Sequence, residues 1–327
     1  MNSRLDIDEK KIKLFSTIGP RATFGLAMLD VVKLYKNIIL LTSDVSTSAG
    51  LDRFRNQYKE NYIDVGISEQ NLINVATGLS KIDFNVITTT FAPFQTMRCL
   101  EQIKVNQGYM KNKIIMVGLA SGLVLGPLGY THCCIEDIGV LRSIPNITII
   151  SPADTLELVK SLEASILYNE PVYIRLTGGQ NSGIIYDKDY NFKIGTPVTL
   201  QEGKEGIILS NGSITYNCLQ AVKKLKDSYN MNFSLVNVHT IKPLNEKYVL
   251  EACKNKKYII TVEEHSLIGG LKSAVSEVLV KSKTDFKNFK SLGINDKYEY
   301  SGTYNYMLDK HGLSVEKIVN FIKQLKN

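Results

Sequence analysis

The chain has 327 residues, 44% of them hydrophobic, a length that holds two domains each with its own buried core. Its net charge of +7 is scattered among acids with no basic block, which weighs against nucleic acid as a partner. No run approaches the roughly eighteen apolar residues of a membrane span, and the charged start MNSRLDIDEKKIK is unlike a signal peptide, so no membrane partner and a cytoplasmic location are expected.

Short β-branched runs alternate with segments of helical period. IILLTSDV (38–45), NVITTT (85–90), KIIMVGLAS (113–121), ITIISP (147–152) and PVYIRL (171–176) are predicted strands. Between them, 19–36, 68–81, 93–107 and 154–168 carry apolar residues three and four apart and are predicted helices. Strand and helix in alternation mean a parallel sheet covered on both faces, a doubly wound α/β fold.

The pattern lapses over 179–203, which is rich in Gly, Asn and Asp and reads as a linker. It resumes from 204 to 327 as a second, smaller α/β domain ending in the helical run SVEKIVNFIKQLK. The boundaries are thus a tail at 1–12, a first domain at 13–178, the linker, and a second domain at 204–327. Five cysteines without a CxxC pair (Cys99, Cys133, Cys134, Cys218, Cys253) indicate neither a disulfide framework nor a metal site.

Ligands of open parallel sheets sit beyond the carboxyl ends of the strands, so the residues there are the candidates. Glu69 opens the helix that follows DVGIS; with Ser68 as a potential N-cap, it is explained either as an acid at the positive end of a helix dipole or as a catalytic group. Phe91 and Phe94 stand three apart after NVITTT, as core residues do, or as a platform for a flat ring. His132 ends a glycine-rich loop, as a loop residue or a substrate contact. Arg21, Ser48 and Arg175 fall at helix starts or strand ends where surface pairing or a phosphate would account for them. There is no GxxxxGK[ST] and no GxGxxG.

Nearly the whole chain from about residue 13 resembles the carboxyl-terminal half of the transketolase family. DVGISEQNLINVATGLS is similar to that family's glutamate-bearing helix, TTFAPFQTMRCLEQI to its aromatic turn, and GYTHCCIEDIGVLRSIPNITIISPAD to its histidine loop. VEEHSLIGGLKSAVSEVL and SGTYNYMLDKHGLS resemble its terminal domain. The resemblance implies a pyrimidine-binding domain followed by a transketolase C-terminal-like domain, with thiamine diphosphate and Mg2+ as cofactors. Glu69 would hydrogen-bond the cofactor's aminopyrimidine and favour its imino form, which requires a carboxyl that keeps its proton away from water. Phe91 and Phe94 would pack on that ring, and Asp44 falls where the family has an acid near the cofactor. His132 would contact the substrate's oxygens, while Arg21, Ser48 and Arg175 match phosphate-binding positions.

Three departures bear on the substrate: Leu128 stands where the family usually has an Asp, Ala120 where it has a His, and Met97 where it has a Tyr. A site without a hydrogen-bond acceptor at Leu128 points away from the usual ketose, towards a deoxy, branched or otherwise modified sugar phosphate. The diphosphate-binding signature, GDG with a downstream Asn, is missing. The expectation is therefore a split enzyme: a two-chain transketolase that transfers a two-carbon ketol unit, with an N-terminal subunit holding diphosphate and metal, assembled two plus two. The alternatives are the beta subunit of a 2-oxo acid dehydrogenase, a deoxyxylulose phosphate synthase-like enzyme, and a non-catalytic assembly or regulatory subunit.

Overall fold

The computed structural model describes residues 4–282 and 288–325. Its first sheet has seven strands in the order β10-β5-β6-β4-β3-β1-β2 and its second has five in the order β12-β11-β8-β9-β7. In chain order these are β1 (Ile38–Thr42), β2 (Tyr62–Asp64), β3 (Asn85–Phe91), β4 (Ile114–Leu119), β5 (Thr148–Ile150) and β6 (Val172–Arg175). They continue with β7 (Val198–Gln201), β8 (Gly206–Ser210), β9 (Phe233–Asn237), β10 (Thr240–Lys242), β11 (Tyr258–Ser266) and β12 (Phe289–Ile294). All neighbours run parallel except the two edge strands β10 and β7. The chain is α/β, with two mostly parallel sheets flanked by helices.

Alternation along the central strands divides the first core. Leu40, Ile87, Val117 and Ile174 face Phe24, Met28 and Leu162, whereas Leu41, Val86, Met116 and Tyr173 face Leu72, Ile73 and Ile103. The helix Glu69–Ser80 is held to the sheet by Leu72, Ile73 and Ala76, all without exposed surface. Burying the two larger side chains stabilises this docking by roughly 1.5–3 kcal/mol each. Because β1, β3 and β4 are parallel, their carboxyl ends deliver Asp44, Phe91 and Ala120 to one sheet edge.

The structure departs from the sequence reading in several places. The first helix spans Glu9–Leu34, starts at Asp8, whose side chain accepts from Lys11 N, and kinks at Gly19, which has φ 80°. Part of the expected N-terminal tail is thus helical. The helix expected over 93–107 is broken into Ala92–Gln95, a 3-10 turn at Met97–Cys99, Leu100–Ile103 and a π-helical stretch at Lys104–Tyr109. Local side-chain bonds compete with the helical ladder there: Thr96 Oγ1 donates to Ala92 O at 2.7 Å, and Cys99 Sγ to Phe94 O at 3.1 Å.

The stretch read as a linker lies against both domains. Asn181 N and Ser182 N donate to Thr17 O and Ser16 O, Tyr190 donates to Glu157, and β7 pairs with β9. The exchange also runs the other way, since β10 comes from the second half of the chain and completes the first sheet. All five cysteines are buried and free. Among the described residues no helix is long and apolar enough to cross a membrane.

Candidate active site

Glu69 owes its place to the turn that precedes it. Asp64, at the end of β2, accepts from Asp44 N at 3.0 Å, from Gly66 N at 2.9 Å and from the hydroxyls of Thr42 and Tyr62. Partial burial would raise the Asp64 carboxyl, but these donors together hold it below its ordinary range. Gly66, at φ 73°, turns the chain in the left-handed region that glycine tolerates. Ser43 Oγ then ties the turn by donating to Gly66 O at 2.5 Å and accepting from Ser68 N at 3.1 Å.

Ser68 does not cap the helix; its hydroxyl donates back to Val65 O. The capping explanation of this segment therefore fails on geometry, and Glu69 is left 5% exposed at the helix start. Its Oε1 accepts from Arg98 Nη1 at 2.6 Å. In this geometry that oxygen accepts a hydrogen bond, whereas the resemblance implies that the carboxyl donates one.

Phe91 and Phe94 meet edge to face at 6.3 Å between centroids, and the His132 ring lies 6.3 Å from the first and 5.6 Å from the second. The Arg98 guanidinium stacks on Phe94, with Cζ 3.9 Å from the ring centroid. Arg98 therefore links the aromatic cluster to Glu69. The structure brings together Glu69, Phe91, Phe94 and His132, residues from three separate predicted segments. Asp44 joins the same sheet edge, exposed and at φ 54°.

His132 follows a 3-10 turn at Gly126–Thr131, and its Nδ1 lies 2.9 Å from Thr131 Oγ1. The second domain clamps this loop. Ser301 Oγ and Gly302 N both donate to Gly126 O, Tyr130 OH lies 3.1 Å from His311 Nε2, and Leu123 N donates to Glu264 at 2.7 Å. A side chain at Gly122 would collide with Glu264 Oε1, so the loop and strand β11 approach as closely as backbone allows.

Arg21 and Ser48 also come together: Arg21 Nη1 donates to Ser48 O at 3.4 Å, and both line a cavity of about 360 Å³ with Thr47, Gly178, Gly179 and Gln180. The close approach of Gly25 to Gly50 O, where a Cβ would sit 2.0 Å away, sets this spacing. A larger cavity, about 660 Å³, lies between the helix Thr155–Leu167 and residues 189–194 and contains none of the predicted site residues.

Arg175 is placed otherwise than expected. It is 1% exposed, with Nε 2.9 Å from both carboxylate oxygens of Asp137 and Nη2 donating to Glu264 O and Cys134 O. Its Nε and Nη2 are engaged inside the seam between the domains and the side chain has almost no exposed surface, a placement that favours a structural role over the expected phosphate contact. The sequence reading also passed over Arg98, Asp64 and Asp137. The one signal for Arg98 was its position four residues after Phe94, where an unbroken helix would have carried it to the same face.

The residues present fit the pyrimidine half of a thiamine cofactor in kind: an aromatic face and a buried carboxyl here hold one flat, N–H-bearing group, the Arg98 guanidinium. No group of three metal-binding side chains exists among the described residues.

Residues 16–181 match the family model described as transketolase, pyrimidine binding domain, and residues 195–318 match transketolase, C-terminal domain. The chain is 31% identical over 308 residues to a putative transketolase C-terminal section of Methanocaldococcus jannaschii, covering 94% of this chain and 96% of that protein. It is 33% identical to a subunit of the apulose-4-phosphate transketolase of Actinobacillus succinogenes, covering 91% and 95%. Its structure is similar to that of a split gene transketolase described as an inactive beta4 tetramer, with TM-score 0.83, 29% identity, and coverage of 94% and 97%. On these matches, with both domains in family order, the chain belongs to the transketolase family, whose members depend on thiamine diphosphate, and corresponds to its C-terminal section.

Proposed function

We propose that this chain is the C-terminal subunit of a two-chain, thiamine diphosphate-dependent transketolase that moves a two-carbon ketol unit between sugar phosphates. The observation that carries the reading is the buried Glu69 carboxyl joined through the Arg98 guanidinium to the cluster of Phe94, Phe91 and His132. Bound thiamine diphosphate supplies the carbon nucleophile and electron sink that cleavage beside a ketose carbonyl needs. Glu69 holds the aminopyrimidine edge, Phe94 and Phe91 hold its face, and Asp44 lies at the same sheet edge. His132 hydrogen-bonds the reacting end of the sugar. Arg21 and Ser48 take the sugar's phosphate in the cavity beside the Gly19 kink, where the helix resumes at Pro20 and a helix start favours an anion.

An N-terminal subunit completes the site by holding diphosphate and Mg2+, in an assembly of two plus two. The Actinobacillus succinogenes relative is named as one subunit of its enzyme, which supports such a partner, and the apulose-4-phosphate in that name supports a ketose phosphate other than the usual one. Leu128, 56% exposed on the His132 loop, offers no acceptor to a sugar hydroxyl, in keeping with a deoxy or otherwise modified donor.

The test is to co-purify the chain with a GDG-bearing N-terminal partner and to screen phosphorylated ketoses for ketol transfer. Turnover by the pair and by neither chain alone is expected. Decarboxylation of a 2-oxo acid, or turnover unchanged in Glu69→Gln, would discard this reading.

A further inference from the structure

One residue at the recess has no part in that mechanism. The Arg98 guanidinium touches two things, the Phe94 ring at 3.9 Å and Glu69 Oε1 at 2.6 Å, and among the described residues Glu69 is its one hydrogen-bond partner. A guanidinium is flat, carries N–H donors on its rim and stacks on aromatic faces. An aminopyrimidine is also flat, and the proposed function asks it to make the same two contacts, a face on phenylalanine and an edge on Glu69. Both contact points are thus held by a side chain of the protein itself.

Resting on the proposed function, we propose that Arg98 is an internal placeholder: it fills the pyrimidine recess of the subunit and leaves it when the cofactor enters, so that binding exchanges one flat donor for another.

Three features of the structure support this. First, a way out exists, because the Arg98 side chain is 43% exposed while its partner is 6% exposed. Second, Arg98 sits on the 3-10 turn Met97–Cys99, between two short helical pieces, instead of in a continuous helix. Third, the contrast with Arg175 is plain: that guanidinium is 1% exposed and tied to Asp137, Cys134 and Glu264, whereas Arg98 is tied at one point. The arrangement also answers a problem of the subunit on its own. A buried carboxylate without a partner is costly, as is a bare aromatic face in water, and Arg98 covers both.

The placeholder makes a quantitative demand. A ligand that needs a minor conformation binds more weakly by the fraction of molecules in that conformation. If Arg98 occupies the recess in about nine molecules of ten, its removal strengthens binding about tenfold.

The experiment measures thiamine diphosphate affinity by calorimetry, with Mg2+ present, for the two-subunit complex carrying wild-type chain, Arg98→Gln or Arg98→Lys. The thermal midpoint of each free full-length chain is measured in parallel. Arg98→Gln is expected to bind the cofactor about tenfold tighter while lowering the midpoint of the free chain, since Glu69 loses its partner. Arg98→Lys, which keeps the charge and loses the flat stacking group, should fall between the two. Opposite signs for affinity and stability are the signature, because a residue that merely supported the fold would lower both. Unchanged or weaker binding by Arg98→Gln overturns the placeholder, as does a structure of the loaded complex with Arg98 still on Glu69 and Phe94. Failure of the wild-type complex to bind thiamine diphosphate at all overturns both this inference and the proposed function.

Discussion

Arg175 and Asp137 form a fully buried ion pair where the two domains meet, with Nε 2.9 Å from both carboxylate oxygens. Tyr173 OH adds a third hydrogen bond to Asp137 at 2.8 Å, and Arg175 Nη2 reaches the backbone of β11 at Glu264. Removing one member leaves an uncompensated charge, which costs about 3–5 kcal/mol. Arg175→Met should lower stability by that amount in urea unfolding. The KM for a phosphorylated ketose should stay within about twofold in whatever enzyme remains folded; a large rise in KM at full stability would return Arg175 to the phosphate site.

Glu69→Gln keeps the shape of the side chain and removes the acid. Ketol transfer by the two-subunit complex should drop by at least about 10²-fold, the usual contribution of a positioned acid–base group. Circular dichroism should show the fold intact, since the helix Glu69–Ser80 is anchored by Leu72, Ile73 and Ala76.

Arg21→Ala tests the cavity at the Gly19 kink. Loss of a charge-assisted hydrogen bond of about 1.5–3 kcal/mol should reduce kcat/KM for a phosphorylated ketose at least tenfold. The unphosphorylated sugar, lacking the anion, should show little change. Equal losses for the two substrates would remove the phosphate from this cavity.

Leu128→Asp restores an acceptor on the loop that carries His132. It should raise kcat/KM at least tenfold for ketose donors bearing the hydroxyl that the family's acid would meet, and lower it for deoxy donors. A competition assay between the two donor types reads this directly.

His265 ties stability to pH. Burial depresses its ionisation to about 4 from the ordinary 6.5; the Asp137 carboxylate opposes this, and the Arg175 guanidinium adds to it. Glu263 faces the ring from the same strand at 3.9 Å. As pH falls through 6.5 the unfolded chain takes up a proton that the folded chain refuses until about 4, so this contribution is complete above 6.5 and is lost between 6.5 and 4. The loss amounts to about 3 kcal/mol. Thermal midpoints across that range should fall with acid in wild type, and the slope should flatten in His265→Gln.

The strand and helix alternation was legible because buried β-branched runs and amphipathic periods are local properties. So was the placing of Phe91 and His132 beyond strand ends, since parallel strands send their carboxyl ends to one edge; the strand β2 that brings Glu69 there is three residues long and left no such pattern. The break at 93–107 was not, because its apolar spacing is helical while Thr96 and Cys99 spend their side chains on the nearby backbone. β10 was not either, because a three-residue strand carries little periodicity and gains its partner from another domain.

By itself, then, the sequence determined which residues reach the sheet edge, since periodicity and strand direction need only near neighbours. Only the tertiary structure decided what each charge there meets. Arg175 ends a strand and Arg98 lies in a segment with helical spacing, and neither pattern shows that one is sealed against Asp137 by a strand 89 residues away while the other lies open on Phe94. Burial and pairing of a charge depend on contacts between distant segments, and no local pattern records them.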